Sequence, residues 1–240
     1  MIAVSVIISA FNERATILEV LRAARAQALD GVRFEIIVVD DGSSDGTGDL
    51  VQAHPELCDR LIRLPLNQGK GGAVIAGLKV ATGDYILFQD ADLEYDPADY
   101  ARMLEPVLRF DADLVMSSRF MAPRYTRVFY FWHKMGNRTL TLIFNVLNNT
   151  TFTDIYSCYL LYRRQLVNPD RLKRQGWDQH AEVLSRAIWN AKTMYEVPIS
   201  YHGRTYAEGK KIRGYHALAV ARTIVAERLA RFFRSPGADA

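Results

Sequence analysis

The chain has 240 residues, 49% of them hydrophobic and 24% charged, with a formal net charge of +3. That length accommodates one large α/β domain or two small ones around a substantial core. The composition is that of an ordinary soluble globular protein, and the charge is too small to imply nucleic acid.

In chain order, Val4 to Ala10 reads as a first strand and Arg14 to Ala28 as a helix with Ile17, Leu18, Leu21 and Ala24 on one face. Phe34 to Val39 is a second strand, followed by a short helix from Asp45 to Ala53 and a short strand from Leu61 to Leu64. Gly72 to Ala81 is helical and stops at Gly83, Tyr85 to Phe88 is the fourth strand, and Pro97 to Phe110 is a helix opened by proline. Asp113 to Ser117 is a fifth strand. This alternation predicts a doubly wound, mostly parallel α/β sheet with right-handed crossovers. The pattern then loosens. A helix is expected over Val128 to Val146, a strand over Ser157 to Arg163, a helix over Gln179 to Ala191, a strand over Met194 to Ile199, and a long basic helix over Tyr215 to Phe233. With no repeat or linker, residues 1–240 read as a single domain with an elaborated C-terminal third.

Cys58 and Cys158 are too few for a disulfide framework and sit in no metal-type pair, which favours a reducing compartment. The N-terminus carries no basic segment before its first strand, so no signal peptide is expected. No apolar run approaches the ~20 residues that cross a bilayer. A cytoplasmic location is expected, with any membrane contact peripheral and on the inner face.

Two acidic clusters stand where strands end. Ile36-Ile37-Val38-Val39 runs into Asp40-Asp41-Gly42-Ser43, and Tyr85-Ile86-Leu87-Phe88 runs into Gln89-Asp90-Ala91-Asp92-Leu93-Glu94. Ligands of open α/β sheets bind beyond the carboxyl ends of such strands. Carboxylates there suit a hard cation, and a cation suits phosphates. The whole reads as a metal-dependent site for a sugar-diphosphate nucleotide, with Asp92 the first choice of metal ligand, Asp90 the next, and Glu94 assisting or contacting the sugar; a solvated acidic turn is the plain alternative. Asp40 or Asp41 can accept from a base imide N–H or position a ribose, with Phe11 and Glu13 as neighbouring walls; the same residues also fit a turn and helix cap. In Asn67-Gln68-Gly69-Lys70-Gly71-Gly72, the glycines let backbone approach a phosphate while Lys70 supplies charge. The spacing is not that of a Walker loop.

These blocks, preceded by Val6-Ile7-Ile8-Ser9-Ala10-Phe11-Asn12-Glu13, resemble the family 2 glycosyltransferases. In order they are similar to the dolichyl- and polyprenyl-phosphate sugar synthase branch. Phe131-Trp132-His133-Lys134-Met135-Gly136-Asn137-Arg138 and Tyr201-His202-Gly203-Arg204-Thr205-Tyr206-Ala207-Glu208-Gly209-Lys210-Lys211-Ile212 extend the resemblance over nearly the whole chain. It implies a GT-A fold and inverting transfer from a UDP- or GDP-sugar, with Mg²⁺ or Mn²⁺. Residues 1–120 would form the nucleotide-sugar half and 121–240 the acceptor half. The donor would meet Ala10, Phe11, Glu13, Asp40, Asp41, Lys70, Asp90, Ala91, Asp92 and Glu94. The acceptor, a polyprenyl phosphate or a glycan, would meet Arg119, His133, Lys134, Arg204 and Lys210. Ala10 replaces the usual Pro, Tyr156 stands where relatives often have Glu, and Gln179-His180-Ala181-Glu182 stands where many have Phe-Glu-Pro-Glu.

A phosphate acceptor, with its second pKa near 6, is already a charged nucleophile at neutral pH. A hydroxyl acceptor needs a base, for which Glu182 and Asp178 are the candidates; as helix-start carboxylates they also have a structural reading. With Arg119, which resembles the arginine that in this family helps hold acceptor phosphate or donor diphosphate, Asp92 and Glu182 make up the expected catalytic set. A hydroxyl-directed enzyme and a non-catalytic nucleotide-sugar-binding protein are the alternatives. Leu218, Ala221, Ile224, Val225, Leu229 and Phe232 recur at helical spacing among Arg222, Arg228, Arg231 and Arg234. That helix either meets an anionic membrane or packs on the sheet.

Overall fold

Apolar runs without a polar face make strands covered on both sides, and the two such runs at Ile36–Val39 and Tyr85–Phe88 flank the first strand of the chain on either side. The computed structural model describes residues 1–121, 131–205 and 214–233. The strands are β1 (Ile2–Ala10), β2 (Val32–Asp40), β3 (Arg60–Arg63), β4 (Tyr85–Asp90), β5 (Leu114–Ser118), β6 (Leu160–Arg163) and β7 (Met194–Pro198). The helices are α1 (Ile17–Arg25), α2 (Thr47–Gln52), α3 (Gly69–Val80), α4 (Tyr100–Phe110), α5 (Phe131–Asn148), α6 (Gln179–Asn190) and α7 (His216–Phe233). The expected elements are all present, with ends shifted by a few residues. Residues 128–130 of the helix expected over Val128 to Val146, which is α5, lie outside the described segments.

The strands form one sheet in the order β3-β2-β1-β4-β6-β5-β7. β1 is parallel to β2 and β4, and β5 to β7, whereas β6 runs antiparallel between β4 and β5. Strand order reverses at β1, so a crevice opens beyond the carboxyl ends of β1 and β4. Register brings the acidic ends together there, with Ala10 opposite Asp40 and Ser9 opposite Asp90.

One helix departs from the usual amphipathic rule. α7 packs against α5 and α6. It buries Val220, Thr223, Ile224 and Glu227, while Leu218, Val225, Leu229 and Phe232 face outward. The inversion has a local cause, because Glu227 pairs with buried Arg186 of α6 (Nε–Oε2 3.1 Å) and Thr223 donates to Asp178 at 2.8 Å. With their partners on α6 and beside it, these two polar side chains take the inward face of α7, and the face that carries the aliphatic residues is left outside.

Away from the crevice, Glu35 ties the α3–β4 turn to the sheet. Its carboxylate accepts from Ser5 Oγ at 2.5 Å and from Thr82 N and Oγ1, both at 2.9 Å. Burial opposes the charged form, but these hydrogen bonds hold the pKa below the ordinary glutamate value. Stability from a depressed carboxylate is present above the unfolded pKa and lost as pH falls through and below it. Glu35→Gln should therefore lower stability by about 2 kcal/mol at neutral pH. The Tm gap to the unaltered protein should close as pH falls below 4.5, as read by thermal melts across a pH series.

Candidate active site

The crevice is a cleft of about 780 Å³. Its floor is the carboxyl edge of β1 and β4, where Ala10, Phe11, Glu13, Asp90, Ala91 and Asp92 reach the wall. Beyond Asp90 the chain turns, and Thr16 Oγ1 holds the turn by donating to the Ala91 carbonyl at 2.9 Å.

Three carboxylates in this turn face two cations from distant parts of the chain. Lys70, at the start of α3, pairs with Asp90 at 2.5 Å. Arg204 reaches Asp92 through Nη2 (2.5 Å), Glu13 through Nη1 (3.4 Å) and Glu94 through Nε (3.3 Å). Glu94 also accepts from Arg204 N (2.9 Å) and Tyr201 Oη (2.8 Å). Burial opposes both charged forms of the Lys70–Asp90 pair, but mutual attraction wins, raising the Lys70 pKa and lowering that of Asp90. Asp92 differs. Burial and the charges of Asp90 and Glu94 push it up to about 7, with Arg204 offsetting only part of the rise.

The donor set for a cation is all oxygen, which suits Mg²⁺ or Mn²⁺. The expected set of Asp92 and Asp90, with Glu94 assisting, is not assembled as three ligands, however. Among the described residues, no three acidic, His or Cys side chains stand close enough together to hold an ion. Glu94 is instead engaged by Tyr201 and Arg204. The protein offers one or two carboxylates, and substrate phosphates would complete the shell, as is usual for Mg²⁺.

The neighbouring strand end divides its two acids. Asp41 lines the cleft and accepts from Gln68 N at 2.7 Å; burial, then Asp40, raises its pKa. Asp40 does not line the cleft. Its buried carboxylate accepts from Ser43 N at 3.1 Å and lies 3.8 Å from Arg63, so it belongs to the turn and the α2 side. The donor role expected for Asp40 is thereby corrected.

The glycines around Lys70 also need another explanation. Gly71 N donates to the Gln175 carbonyl at 2.7 Å. A Cβ on Gly69 would come within 2.6 Å of that oxygen, and one on Gly71 would overlap the Arg174 carbonyl. Close approach to the 174–176 backbone, rather than to a phosphate, requires these glycines.

Glu182 is the clearest correction. It is 0% exposed, accepts from Lys173 N (3.0 Å) and Arg174 N (2.8 Å), and pairs with Arg186 at 2.8 Å. It does not line the cleft, and a carboxylate so fully engaged is no general base. Asp178 is likewise occupied, by Thr223. From the same helix, Gln179 and His180 do reach the cleft. Burial, then Lys70, lowers the His180 pKa to about 4, so the imidazole is neutral.

Arg119 lines the cleft with a bidentate bond to buried Asp154: Nε–Oδ2 is 2.6 Å and Nη2–Oδ1 2.8 Å. Its fork is thus held by Asp154, and its guanidinium carbon lies 5.1 Å from the Tyr201 ring centroid. Of the other acceptor candidates, His133 lines the cleft, whereas Lys134 is exposed with its Nζ 5.6 Å from the Phe120 ring. Lys134 is therefore corrected to a surface position. Lys210, with Lys211 and Arg127, lies outside the described residues. Sequence reasoning missed the aromatic wall of Tyr95, Trp132, Trp177 and Tyr201, as well as Cys158. The one available signal was the pair of motif departures at Tyr156 and His180, both of which line the cleft. Removing one partner of the Arg119 pair leaves a buried charge uncompensated. Asp154→Ala should cost about 3–5 kcal/mol in urea denaturation, against about 1 kcal/mol or less for the exposed pair partner Glu105→Ala.

The sequence profile described as glycosyl transferase family 2 matches residues 5–169. A dolichol-phosphate mannosyltransferase from Pyrococcus furiosus is 29% identical over 213 residues, covering 86% of this chain and 58% of the relative. An undecaprenyl-phosphate 4-deoxy-4-formamido-L-arabinose transferase from Pseudomonas aeruginosa is 34% identical over 212 residues, covering 86% and 60%. The chain thus spans about three fifths of these curated relatives. Glucosyl-3-phosphoglycerate synthase from Mycobacterium tuberculosis, crystallised with Mn²⁺, UDP and glucosyl-3-phosphoglycerate, superposes with a TM-score of 0.69 at 21% identity. That match covers 98% of this chain and 82% of the synthase, and it identifies the architecture as GT-A. On the extent of the family match, carried on this architecture, the chain belongs to glycosyl transferase family 2.

Proposed function

We propose that this chain is an inverting glycosyltransferase that moves one sugar from a UDP- or GDP-sugar to a polyprenyl phosphate. One observation carries the reading: Asp90, Asp92, Lys70, Arg204 and Arg119 share a single cleft at the switch point of the sheet. Such an alternation of charges suits a diphosphate, a cation and a second phosphate held side by side. The relatives are named for dolichol and undecaprenyl phosphates, and the synthase was crystallised with UDP and Mn²⁺ or Mg²⁺.

In this reading residues 1–120 supply most of the donor site, with Phe11 and Asp41 beside the nucleoside. Residues 121–240 face the acceptor. Asp92, then Asp90, would hold Mg²⁺ or Mn²⁺, which supplies positive charge to the leaving diphosphate. The acceptor phosphate oxygen forms a bond to the anomeric carbon as the bond from that carbon to the nucleotide breaks, and the electron pair leaves on the diphosphate. Lys70 and Arg204 face the charge that develops there. Arg119, aligned by Asp154, faces the acceptor phosphate. No strong base is required, in keeping with the engaged state of Glu182 and Asp178.

The lipid acceptor agrees with the outward faces of two helices. On α5, Phe131, Met135, Leu142 and Val146 are exposed, and on α7 Leu218, Val225, Leu229 and Phe232, with Arg222 in the same row. No helix among the described residues is long and apolar enough to cross a membrane. Apolar rows flanked by arginine suit an anionic bilayer surface, which supports the reading of a peripheral enzyme on the inner membrane face.

Donor identity is read from a thermal-shift panel of nucleotide sugars with and without Mn²⁺. A metal-dependent stabilisation by a UDP- or GDP-sugar is expected, and none across the panel would refute the donor site. Transfer of labelled sugar into extractable lipid should need divalent metal and fall at least about 100-fold in Asp92→Ala; full activity in that variant would remove Asp92 from the mechanism. Transfer only to a hydroxyl acceptor would instead bring forward His180, whose Nε2 has no hydrogen-bond partner among the described residues. Leu229→Glu with Phe232→Glu should cut sedimentation with phosphatidylglycerol vesicles several-fold and leave nucleotide binding unchanged. Undiminished sedimentation would refute this membrane face.

A further inference from the structure

Glu182 lies behind the cleft rather than in it, yet its backbone contacts lead to Lys70. Its two oxygens take the backbone N–H groups of Lys173 and Arg174. Those two residues begin the segment whose next carbonyl, that of Gln175, receives Gly71 N and Gly72 N at 2.7 and 3.4 Å. The fit between the two segments leaves no room for a side chain at Gly69 or Gly71. Two residues further on, the Trp177 ring centroid lies 5.3 Å from Lys70 Nζ, and Tyr156 Oη donates to the Trp177 carbonyl at 2.7 Å. Lys70 is therefore held from two sides, by Asp90 in front and by the 173–177 segment behind.

The carboxylate itself is clamped in turn. Arg186 donates to Glu182 (2.8 Å), to the Arg171 carbonyl (2.7 Å) and to Glu227 of α7 (3.1 and 3.2 Å). All three side chains are buried. A buried charged triad is poor evidence for stability, since a well-packed apolar replacement often does as well. Its geometry serves another end: an acceptor with two oxygens and full charge orders two successive backbone N–H groups, which no apolar side chain does.

We propose that Glu182 is a positioning residue for Lys70, acting through the 173–177 segment and the Gly69–Gly72 turn to set the ammonium against the donor diphosphate. This rests on the reading of the cleft as a nucleotide-sugar site. The spatial claim, that Glu182 keeps Lys70 in place, stands independently of that reading. A small displacement of a charge that must meet a phosphate is costly, because the contact depends on orientation prepared in advance.

Two readouts on Glu182→Gln separate these claims. The first is the acetylation rate of each lysine, followed by mass spectrometry. Lys70 should become several-fold more reactive while the exposed Lys79 and Lys192 do not change. An unchanged Lys70, or a rise common to all lysines, overturns the proposal. The second is a double-mutant cycle on the Kd of UDP and GDP with Mn²⁺. Glu182→Gln should weaken binding about tenfold in the unaltered background and not further in Lys70→Met. Additive losses overturn positioning through Lys70, as does a fall in kcat alone with Kd unchanged. If the unaltered protein binds neither nucleotide, the site reading fails, and the acetylation result alone decides the position of Lys70. If Glu182→Gln does not fold, Gly71→Ala perturbs the same interface from the other side and is scored by the same two readouts.

Discussion

Like charges crowded into the cleft at the end of one strand impose the constraint from which the rest of this architecture follows. Asp90, Asp92 and Glu94 leave β4 within five residues of one another, with Asp92 buried and the other two half-buried at the cleft. Unpaired, such a set would repel itself and resist folding. The chain answers with Lys70 from the first turn of α3 and Arg204 from beyond β7. Those two cations draw the far ends of the sequence to one edge of the sheet. An anionic ligand entering with its own cation then meets partners of both signs already in place, so little reorganisation is required at binding.

The antiparallel β6 performs a second task. By running between β4 and β5 in the opposite direction, it brings the residues preceding it over the carboxyl edge of the sheet. Asp154, Tyr156 and Cys158 arrive there by this route: Asp154 fixes Arg119, and Tyr156 and Cys158 form cleft wall. An all-parallel continuation would have delivered those residues to the other edge. The same device brings Asp154 under Glu196 of β7, whose carboxylate accepts from Thr153 N and Asp154 N.

Much of this was legible in the residues. The buried runs Ile36–Val39 and Tyr85–Phe88 lack a polar face, and that alone marks them as interior strands; the acids after them mark the edge where a ligand binds. Local signals failed where a residue's role depended on a distant partner. Asp40 and Asp41 are neighbours with the same side chain, and only the local fold after β2 sends one to the α2 side beside Arg63 and the other to the cleft. Glu182 has the chemistry of a base and the environment of a structural ion. The glycines beside Lys70 look like a phosphate loop and turn out to be fitted to the 174–176 backbone.

The amino-acid order by itself determined the alternating α/β plan, the strand-end acids and the family resemblance, because these depend on short-range patterns of burial and turn chemistry that survive in one dimension. Only the tertiary structure decided which acids share a cleft, which cation faces each of them, and why α7 turns its leucines outward. Those outcomes depend on pairings between residues 20 to 191 positions apart. No local pattern encodes the cost of leaving a particular buried charge alone, and it is that cost, summed over Asp90, Asp92, Asp154 and Glu182, that selects the arrangement.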